Sequence, residues 1–343
     1  MAQNYAESAA SPQADTSAGE SLSRFITRIL DQLSLSSWLP AIMLVCNCAL
    51  LLQLHAQHDL NLGAAIIALT RKPLGILIVL LLAIILVSVI TQAFEFEVIR
   101  IFEGYWGSVR VLDRLSRRRT RHHLDRLIAL ERRYAAYQDL AFASARATMR
   151  TRKLPRDIVT IIDRQTHRKR VDHYDRARIA EAAKVNWRQY AAPELLRQMD
   201  AAMTRIRQHP EPHRILPTRL GNTLRAAEDG LTLAPGENLE EFVYRRYPLM
   251  TAELKSEHDR YRSQLNIYCL SALIFACLAV LVPAALVHRR AELPGELCFA
   301  LAYAALAFVS YRAAVASAHG YVTVLRVLGS QPAANPAATP ASS

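Results

Sequence analysis

The chain has 343 residues and a formal net charge of +12, with 42 basic and 30 acidic residues. Only five of the basic residues are lysines, so arginine, which stays ionised at any working pH, carries most of the positive charge. The five cysteines all lie in apolar runs, at spacings that fit neither a zinc site nor a disulfide framework. The sequence also lacks a P-loop, a glycine-rich dinucleotide turn and the G-x-S-x-G and H-E-x-x-H motifs. We therefore expect no enzymatic activity, no cofactor and no bound metal.

The N-terminal residues divide into two segments of different character. Residues 1–20 are small and polar without apolar periodicity, which predicts disorder. In residues 21–36 the apolar side chains recur every three or four positions, the pattern of one helix face. We predict an amphipathic helix that lies at the membrane interface and leads into the first span. The alternative is a helix packed on the soluble part of the chain.

Four long apolar runs determine the predicted architecture. A helix rises about 1.5 Å per residue, so about 20 apolar residues cross the hydrocarbon core of a bilayer. The runs are residues 38–54, 74–94, 267–287 and 297–317. We predict an all-α membrane protein with four transmembrane helices in two hairpins and a large helical cytoplasmic insert between them. The hairpins comprise residues 37–94 and 266–318, the basic insert comprises residues 95–265, and residues 319–343 form a mostly disordered tail.

The first hairpin contains one polar residue at membrane depth. Asn47 lies in the first apolar run, between two cysteines. A buried polar side chain in a membrane usually faces another helix or water, so Asn47 is a candidate intramembrane polar site. A structural hydrogen bond is favoured over a role in a pore. Residues 60–70 are apolar but too short to span, so they either re-enter the membrane or lie flat on it.

An unusual segment, FEFEVIRIFEGYWG, follows the second apolar run at residues 94–107. Glu97, Arg100 and Glu103 are spaced by three residues, so they share one helix face and are expected to form ion pairs. Trp106 suits the membrane–water interface. We favour a charge-paired helix exit with an aromatic anchor, and the alternative is a gate or coupling region between the span and the insert.

The insert is predicted to be almost wholly helical. Residues 95–150 are expected to continue the second span as one long helix, whereas the cluster Ile158, Val159, Ile161 and Ile162 suggests a short strand. Asp175 is a candidate helix cap and Gly230 a helix stop. Further helices are predicted over residues 176–191, 193–208 and 219–229, and from about residue 250 into the third span.

Segment 163–175, DRQTHRKRVDHYD, concentrates histidines and aspartates. A phospholipase-D-type motif reads His-x-Lys, then four residues, then Asp. His167 and Lys169 fit this motif, but the required aspartate position is Tyr174. Metal binding by His167, His173 and a carboxylate is a further alternative, although such clusters in polar loops are usually solvated surface. A membrane-bound hydrolase that uses this cluster is therefore the least favoured function.

Three short segments carry a resemblance to known sequences. The segments EGYW at 103–106, LGNTLRAAE at 220–228 and EEFVYRRYPLM at 240–250 together resemble uncharacterised multi-pass membrane proteins of bacteria, in particular actinobacteria. The resemblance implies a shared fold and membrane placement, and it implies no catalytic residue. The polar residues of the candidate family motif are Arg219, Asn222, Arg225 and Glu228.

Charges beside the apolar runs predict the orientation. Basic residues after the second run and before the third outnumber those in the two hairpin loops. Because positive flanks tend to stay in the cytoplasm, we place the insert and both termini there. The resemblance implies that the membrane is a bacterial plasma (inner) membrane. The flanking residues are Arg100, Arg110, Arg114, Arg117, Arg118 and Arg119 after the second run, and Lys255, Arg260 and Arg262 before the third.

These patterns favour a non-enzymatic scaffold or regulator whose basic cytoplasmic domain binds anionic lipid head groups or a protein partner. The alternative is a subunit of an oligomeric channel or transporter, because Asn47, the charged helix exit and the small residues of the fourth run suit a pore shared by several chains. A homo-oligomer is compatible with both. Nucleic acid is not expected as a partner, because arginine-rich helices anchored in a membrane are a weak signal for it.

Overall fold

A computed structural model describes residues 35–56, 61–71, 73–107, 110–231, 233, 236–237, 239–286 and 293–330. Within these ranges the chain forms eleven α-helices, three short 3₁₀ turns and no β-strand. The predicted all-α fold is thus confirmed. The predicted disordered segment 1–20 lies outside the described residues, as does nearly all of the predicted interfacial helix 21–36.

The helices are named α1 to α11 in chain order. They are α1 (Leu35–Ala56), α2 (Leu62–Thr70), α3 (Leu74–Glu103), α4 (Arg110–Thr151), α5 (Arg156–Thr166), α6 (Arg176–Lys184), α7 (Pro193–Ile206), α8 (Arg219–Asp229), α9 (Leu239–Arg246), α10 (Ala252–Leu286) and α11 (Leu293–Ser330). The 3₁₀ turns are Trp187–Tyr190, Pro212–Arg214 and Tyr247–Leu249.

Four of these helices, α1, α3, α10 and α11, are long and apolar enough to cross a membrane. They coincide with the four apolar runs of the sequence and form two hairpins along the chain, α1 with α3 and α10 with α11. The helices between α3 and α10 form the insert. Residues 60–70, predicted to re-enter the membrane or lie flat, contain the short helix α2, which Asn61 caps by accepting a hydrogen bond from the Ala64 backbone N–H at 3.0 Å.

The described residues divide into two compact units. The membrane unit contains those up to Ile99 together with Asp259–Ser317, and the insert unit contains Arg100–His258 together with those from Ala318 onward. In the membrane unit, buried side chains of α10 and α11 pack with partly buried side chains of α1. Helix α3 instead leaves most of its apolar surface uncovered, as expected for a span that faces lipid.

The predicted strand at 158–162 is wrong, because this segment belongs to α5. Ile158, Val159, Ile161 and Ile162 are all buried against Phe142 and Met149 of α4 and Ala182 of α6. Their spacing of one, three and four residues gathers them on one face of a helix, whereas a strand would send successive side chains to opposite faces. Burial on one face therefore overrides the β propensity of branched side chains.

The single long helix predicted over 95–150 is also wrong. Helix α3 ends at Glu103 and α4 begins at Arg110. Gly104 and Gly107, with φ of 108° and 66°, form the break between them. Glycine adopts these left-handed angles without the steric cost that a Cβ imposes, so the two glycines end the helix where the sequence pattern alone suggested continuity.

The C-terminal boundary and one predicted helix differ as well. Residues 319–343 were predicted to be mostly disordered, but α11 continues to Ser330 and buries Tyr321, Leu325 and Leu328 in the insert unit. Apolar side chains at helical spacing extend past the fourth apolar run and explain this continuation. Asp175 caps α6 as predicted, by accepting from the Ala177 N–H at 3.4 Å, but α6 ends at residue 184 rather than 191.

Candidate functional site

The end of α3 packs directly against the start of α8, which joins two of the segments that carry the sequence resemblance. The Thr218 hydroxyl donates to the Glu103 carbonyl at 2.8 Å, and the Gly221 N–H donates to that hydroxyl at 3.0 Å. A Cβ added at Gly221 would overlap the Glu103 carbonyl, and one added at Gly104 would overlap the Pro217 ring. Glycine at these two positions is therefore a requirement of close packing.

Asn222 holds the loop before α8 in place. The residue is only 3% exposed, and its side chain accepts from the Leu216 N–H at 2.7 Å and donates to the Leu216 carbonyl at 2.9 Å. These two hydrogen bonds supply partners for the backbone N–H and carbonyl of Leu216, which lies outside any helix. Asn222, predicted only as a motif residue, thus has a structural role.

Arg225 and Glu228 belong to an ion-pair network at the opposite end of α8. The Glu228 carboxylate accepts from Arg225 at 2.8 Å and from Arg214 at 2.6 Å, and Arg214 also pairs with Asp229. Arg225 additionally contacts the Tyr105 hydroxyl. These groups are partly buried, so their pairing is less screened than that of surface charges. The network connects α8 to the turn after α3.

The candidate gate residues occupy α3 and the turn that follows it. Glu97 and Arg100 are exposed and Glu103 is half-buried, all on α3 as the spacing predicted. The Arg100 guanidinium lies 5.4 Å from the centre of the Tyr105 ring, and the Trp106 indole N–H donates to the Ile101 carbonyl at 2.7 Å. These contacts describe a helix exit with aromatic packing, and the gate remains a prediction.

A second surface of α8 faces a basic cleft of about 540 Å³ between α4, α7 and α8. The cleft residues that carry charge or can acquire it are His123 and Arg126 on α4, Arg205 in the last turn of α7, His209 in the segment after α7, and Arg219 on α8. Thr204, Gln208 and Thr223 add neutral hydrogen-bonding groups, and no Asp or Glu is among the described lining residues. The basic cleft therefore concentrates positive charge on three helices that are distant in sequence.

The two histidines of the basic cleft are held mainly in the neutral form. Burial, followed by the nearby His122, His209 and Arg126, lowers the pKa of His123 to about 4. Burial also lowers the pKa of His209, with Arg126 and Arg219 acting in the same direction against the backbone hydrogen bond to Arg205. Each imidazole thus resists protonation, first because burial disfavours its charged form and second because cations lie close by.

A smaller cavity of about 280 Å³ adjoins the basic cleft and shares Thr204, Gln208 and Thr223 with it. Arg207 lines this cavity from the end of α7, and His319 and Arg326 line it from α11. Helix α11 can contribute here only because it continues beyond the predicted boundary at residue 318. The two cavities together extend the positively charged surface from α4 to α11.

The sequence identified Arg219 and Asn222 on the cleft wall but missed His123, Arg126, Arg205 and His209. The three-residue spacing of His123 and Arg126 was visible as a shared helix face. It carried little information, because α4 contains arginines on every face. Nothing in the sequence indicated that α7 would lie against this particular face.

Asn47 makes a hydrogen bond between two spans of the membrane unit. Its side-chain oxygen accepts from the Tyr303 hydroxyl at 2.6 Å, and its amide donates to the Met43 carbonyl at 2.6 Å. Tyr303 is buried beside Phe275, with the ring centres 6.3 Å apart. Both polar ends of the Asn47 side chain are thus engaged within the helix packing.

The histidines of segment 163–175 have separate partners. His167 contacts the Asp163 carbonyl and the Asp139 carboxylate, each at 2.8 Å, whereas the His173 ring lies 4.3 Å from the Tyr174 ring. Burial opposes protonation of His167, but these hydrogen bonds and the two carboxylates outweigh it and raise its pKa. No metal-binding group of three His, Cys, Asp or Glu side chains occurs in the part of the chain that the structure describes.

Comparison with known proteins adds no relative from which a role could be transferred. No family model matches the chain, and no curated protein and no solved structure is significantly similar to it. The function therefore has to be inferred from the geometry of this molecule.

Proposed function

We propose that this protein is a non-enzymatic scaffold or regulator of the bacterial inner membrane, whose insert lies in the cytoplasm and binds anionic lipid head groups. The observation that carries the proposal is an open arginine groove at the start of α4. Residues 110–126 contain seven arginines and two aspartates. The arginine groove is lined by Arg114, Arg117, Arg118, Arg121, His122 and Asp125.

The position of the arginine groove supports contact with a lipid surface. Only residues 104–109 separate α4 from the end of α3, the most apolar of the four spans. An extended link of this length reaches at most about 25 Å, so the groove begins near the end of a membrane-spanning helix. Each Lys or Arg near an anionic surface contributes about 1 kcal/mol, and the attraction decays over a Debye length of about 8 Å at physiological salt.

Lipid retention by the full chain tests this proposal. We would release the protein from mixed micelles of phosphatidylglycerol and phosphatidylcholine and count the lipids it retains by native mass spectrometry. We expect preferential retention of phosphatidylglycerol at low salt and loss of the preference at high salt. A variant in which Arg117, Arg118 and Arg121 are all replaced by Gln should lose most of the preference.

A matched variant separates the arginine groove from net charge. Arg132, Arg133 and Arg150 are exposed arginines further along α4, and replacing all three with Gln removes the same charge. This variant should retain phosphatidylglycerol as the wild type does. Equal retention of both lipids by the wild type, or an equal loss in the two triple variants, would contradict the proposal.

The orientation has its own test. A single cysteine introduced at Arg150, in a variant without native cysteines, should react with a membrane-impermeant thiol reagent only after the cells are permeabilised. Reaction in intact cells would place the insert outside the cytoplasm.

The alternative of a channel or transporter subunit has weaker support. Its main intramembrane candidate, Asn47, already bonds to Tyr303 and to the Met43 carbonyl, which leaves little of its side chain for an ion or substrate. Ion flux in proteoliposomes that Asn47→Leu abolishes, in a protein that remains folded, would favour this alternative.

A further inference from the structure

The basic cleft differs from the arginine groove in its construction. The groove lies along one helix, whereas the cleft brings together Arg126 of α4, Arg205 of α7 and Arg219 of α8. These residues are far apart in sequence, so only the tertiary fold assembles them. Sites that recognise a specific ligand are usually concave and built in this convergent way.

Several arginines of the insert unit form ion pairs with carboxylates. Arg146 pairs with Asp163 at 2.5 Å, Arg188 with Asp200 at 2.5 Å and Arg225 with Glu228 at 2.8 Å. By contrast, neither Arg126 nor Arg205 forms an ion pair with a carboxylate of the described chain. The described lining of the cleft thus supplies no carboxylate to the guanidinium groups of Arg126 and Arg205.

Electrostatics and size indicate what would complete the basic cleft. Like charges in a partly enclosed space repel, and an anion that bridges them offsets this repulsion. Guanidinium groups bind phosphate oxygens through paired, charge-assisted hydrogen bonds. The cavity of about 540 Å³ has the volume of a site for a small organic molecule rather than for a single bare ion.

We propose that the basic cleft binds a phosphate-bearing anion, held by the guanidinium groups of Arg126, Arg205 and Arg219. Thr204 and Gln208 supply neutral hydrogen-bonding groups for the rest of the molecule. The phosphate belongs either to a soluble phosphorylated molecule or to a phospholipid head group. This inference goes beyond the proposed function, and the cleft residues and the groove residues do not overlap.

Anion binding in the basic cleft should be linked to proton uptake. His123 lies near Arg119, His122 and Arg126 of its own helix. It also lies near His209 of the segment after α7. His209 in turn faces Arg126 and Arg219. A bound phosphate would offset these positive charges and raise the pKa of both imidazoles toward neutrality. Binding should therefore take up protons onto the two imidazoles.

Titration calorimetry of the full chain in neutral detergent tests the inference. The probes are inorganic pyrophosphate, as a soluble source, and dioctanoyl phosphatidic acid, as a lipid source. Binding of pyrophosphate would show that the phosphate alone is sufficient, and binding of the lipid alone would identify a head-group site. Arg126→Gln and Arg205→Gln should each weaken the binding about tenfold, the effect of losing one charge-assisted hydrogen bond.

Arg132→Gln is the matched control. Arg132 is exposed and lies six positions after Arg126, which at about 100° per residue turns it away from the cleft face of α4. We expect the Arg132→Gln variant to bind each probe with an affinity within about twofold of that of the wild type. The melting temperature of each variant confirms that it is folded. The inference is overturned if neither probe binds, or if folded cleft variants bind as tightly as the control.

Two results separate this inference from the proposed function. Replacing Arg117, Arg118 and Arg121 should reduce phosphatidylglycerol retention but leave pyrophosphate or phosphatidic acid affinity unchanged. If the arginine groove fails its test and the cleft variants still weaken binding, the cleft stands alone. If the cleft variants have no effect while the groove variant does, only the site proposed here is wrong.

Discussion

The contact between α3 and α8 can be tested at Gly221, because the two helices can approach this closely only when that residue has no Cβ. In Gly221→Ala the new Cβ would overlap the Glu103 carbonyl oxygen and approach the Leu216 side chain to 2.8 Å. The carbonyl belongs to the backbone, which cannot rotate out of the way as a flexible side chain can. Helix α8 must therefore shift away from the end of α3, which also breaks the 2.8 Å bond from Thr218 to Glu103.

The expected cost combines two terms. Forcing an extra carbon into a well-packed contact destabilises a protein by about 1–3 kcal/mol, and losing the Thr218 hydrogen bond adds about 1 kcal/mol. We therefore expect Gly221→Ala to lower the free energy of unfolding by about 2–4 kcal/mol. At about 2 °C per kcal/mol for a chain of this size, the melting temperature should fall by about 4–8 °C.

Thermal unfolding in mild detergent, followed by tryptophan fluorescence, measures this effect, since Trp106 lies in the turn after α3. Two other glycines provide graded controls, because an added Cβ at Gly75 or Gly107 meets no atom within 4 Å. Gly75→Ala should be neutral or stabilising because alanine favours a helix, whereas Gly107→Ala should cost only the left-handed strain of about 1–2 kcal/mol. If Gly221→Ala melts like Gly75→Ala, the close approach of α8 to α3 is wrong.

Three further predictions concern hydrogen bonds and protonation. Asn222→Ala should lower the free energy of unfolding by about 2 kcal/mol or more, because it leaves two backbone groups of the preceding loop without partners, and a melting temperature equal to that of the wild type would contradict this role. In the membrane unit, a double-mutant cycle of Tyr303→Phe with Asn47→Leu should give a coupling energy of about 0.6–1.7 kcal/mol in detergent unfolding, and zero coupling would exclude the bond. Because the pKa of His123 is lowered from 6.5 to about 4, the unfolded chain binds the proton more readily, so stability should be lost as the pH falls from 6.5 toward 4. Melting scans across this range should show a shallower pH dependence in His123→Gln, and parallel curves for both proteins would count against a half-buried neutral imidazole.

The features that depend on residues near one another in sequence were the most predictable. The four spans appear where the apolar runs are, and Asn61, Asp175 and Thr218 cap helices that start at the next residue. These features depend on side-chain hydrophobicity or on hydrogen bonds within a single turn. The failure at 158–162 came from a segment that fitted two local patterns, between which burial against α4 and α6 decided, whereas the break within 95–150 came from two glycines with left-handed angles.

The candidate site was much less accessible to sequence reasoning. Arg219, Asn222, Arg225 and Glu228 were selected as one motif, but they divide between a cleft wall, a loop brace and an ion-pair network. Their different roles follow from the direction in which each side chain leaves α8. A linear motif does not record which neighbouring helix lies in that direction.

The sequence by itself determined the four apolar helices and the excess of positive charge between them. Hydrophobicity and charge belong to each side chain and can be summed over neighbouring residues without knowledge of the fold. The tertiary structure alone decided where that charge converges. Thr218 contacts Glu103 across 115 positions of the chain, and Arg126, Arg205 and Arg219 meet only after α4, α7 and α8 have packed together. Such contacts depend on which helix faces become buried against each other, and this choice follows from the packing of the whole insert unit rather than from any one segment.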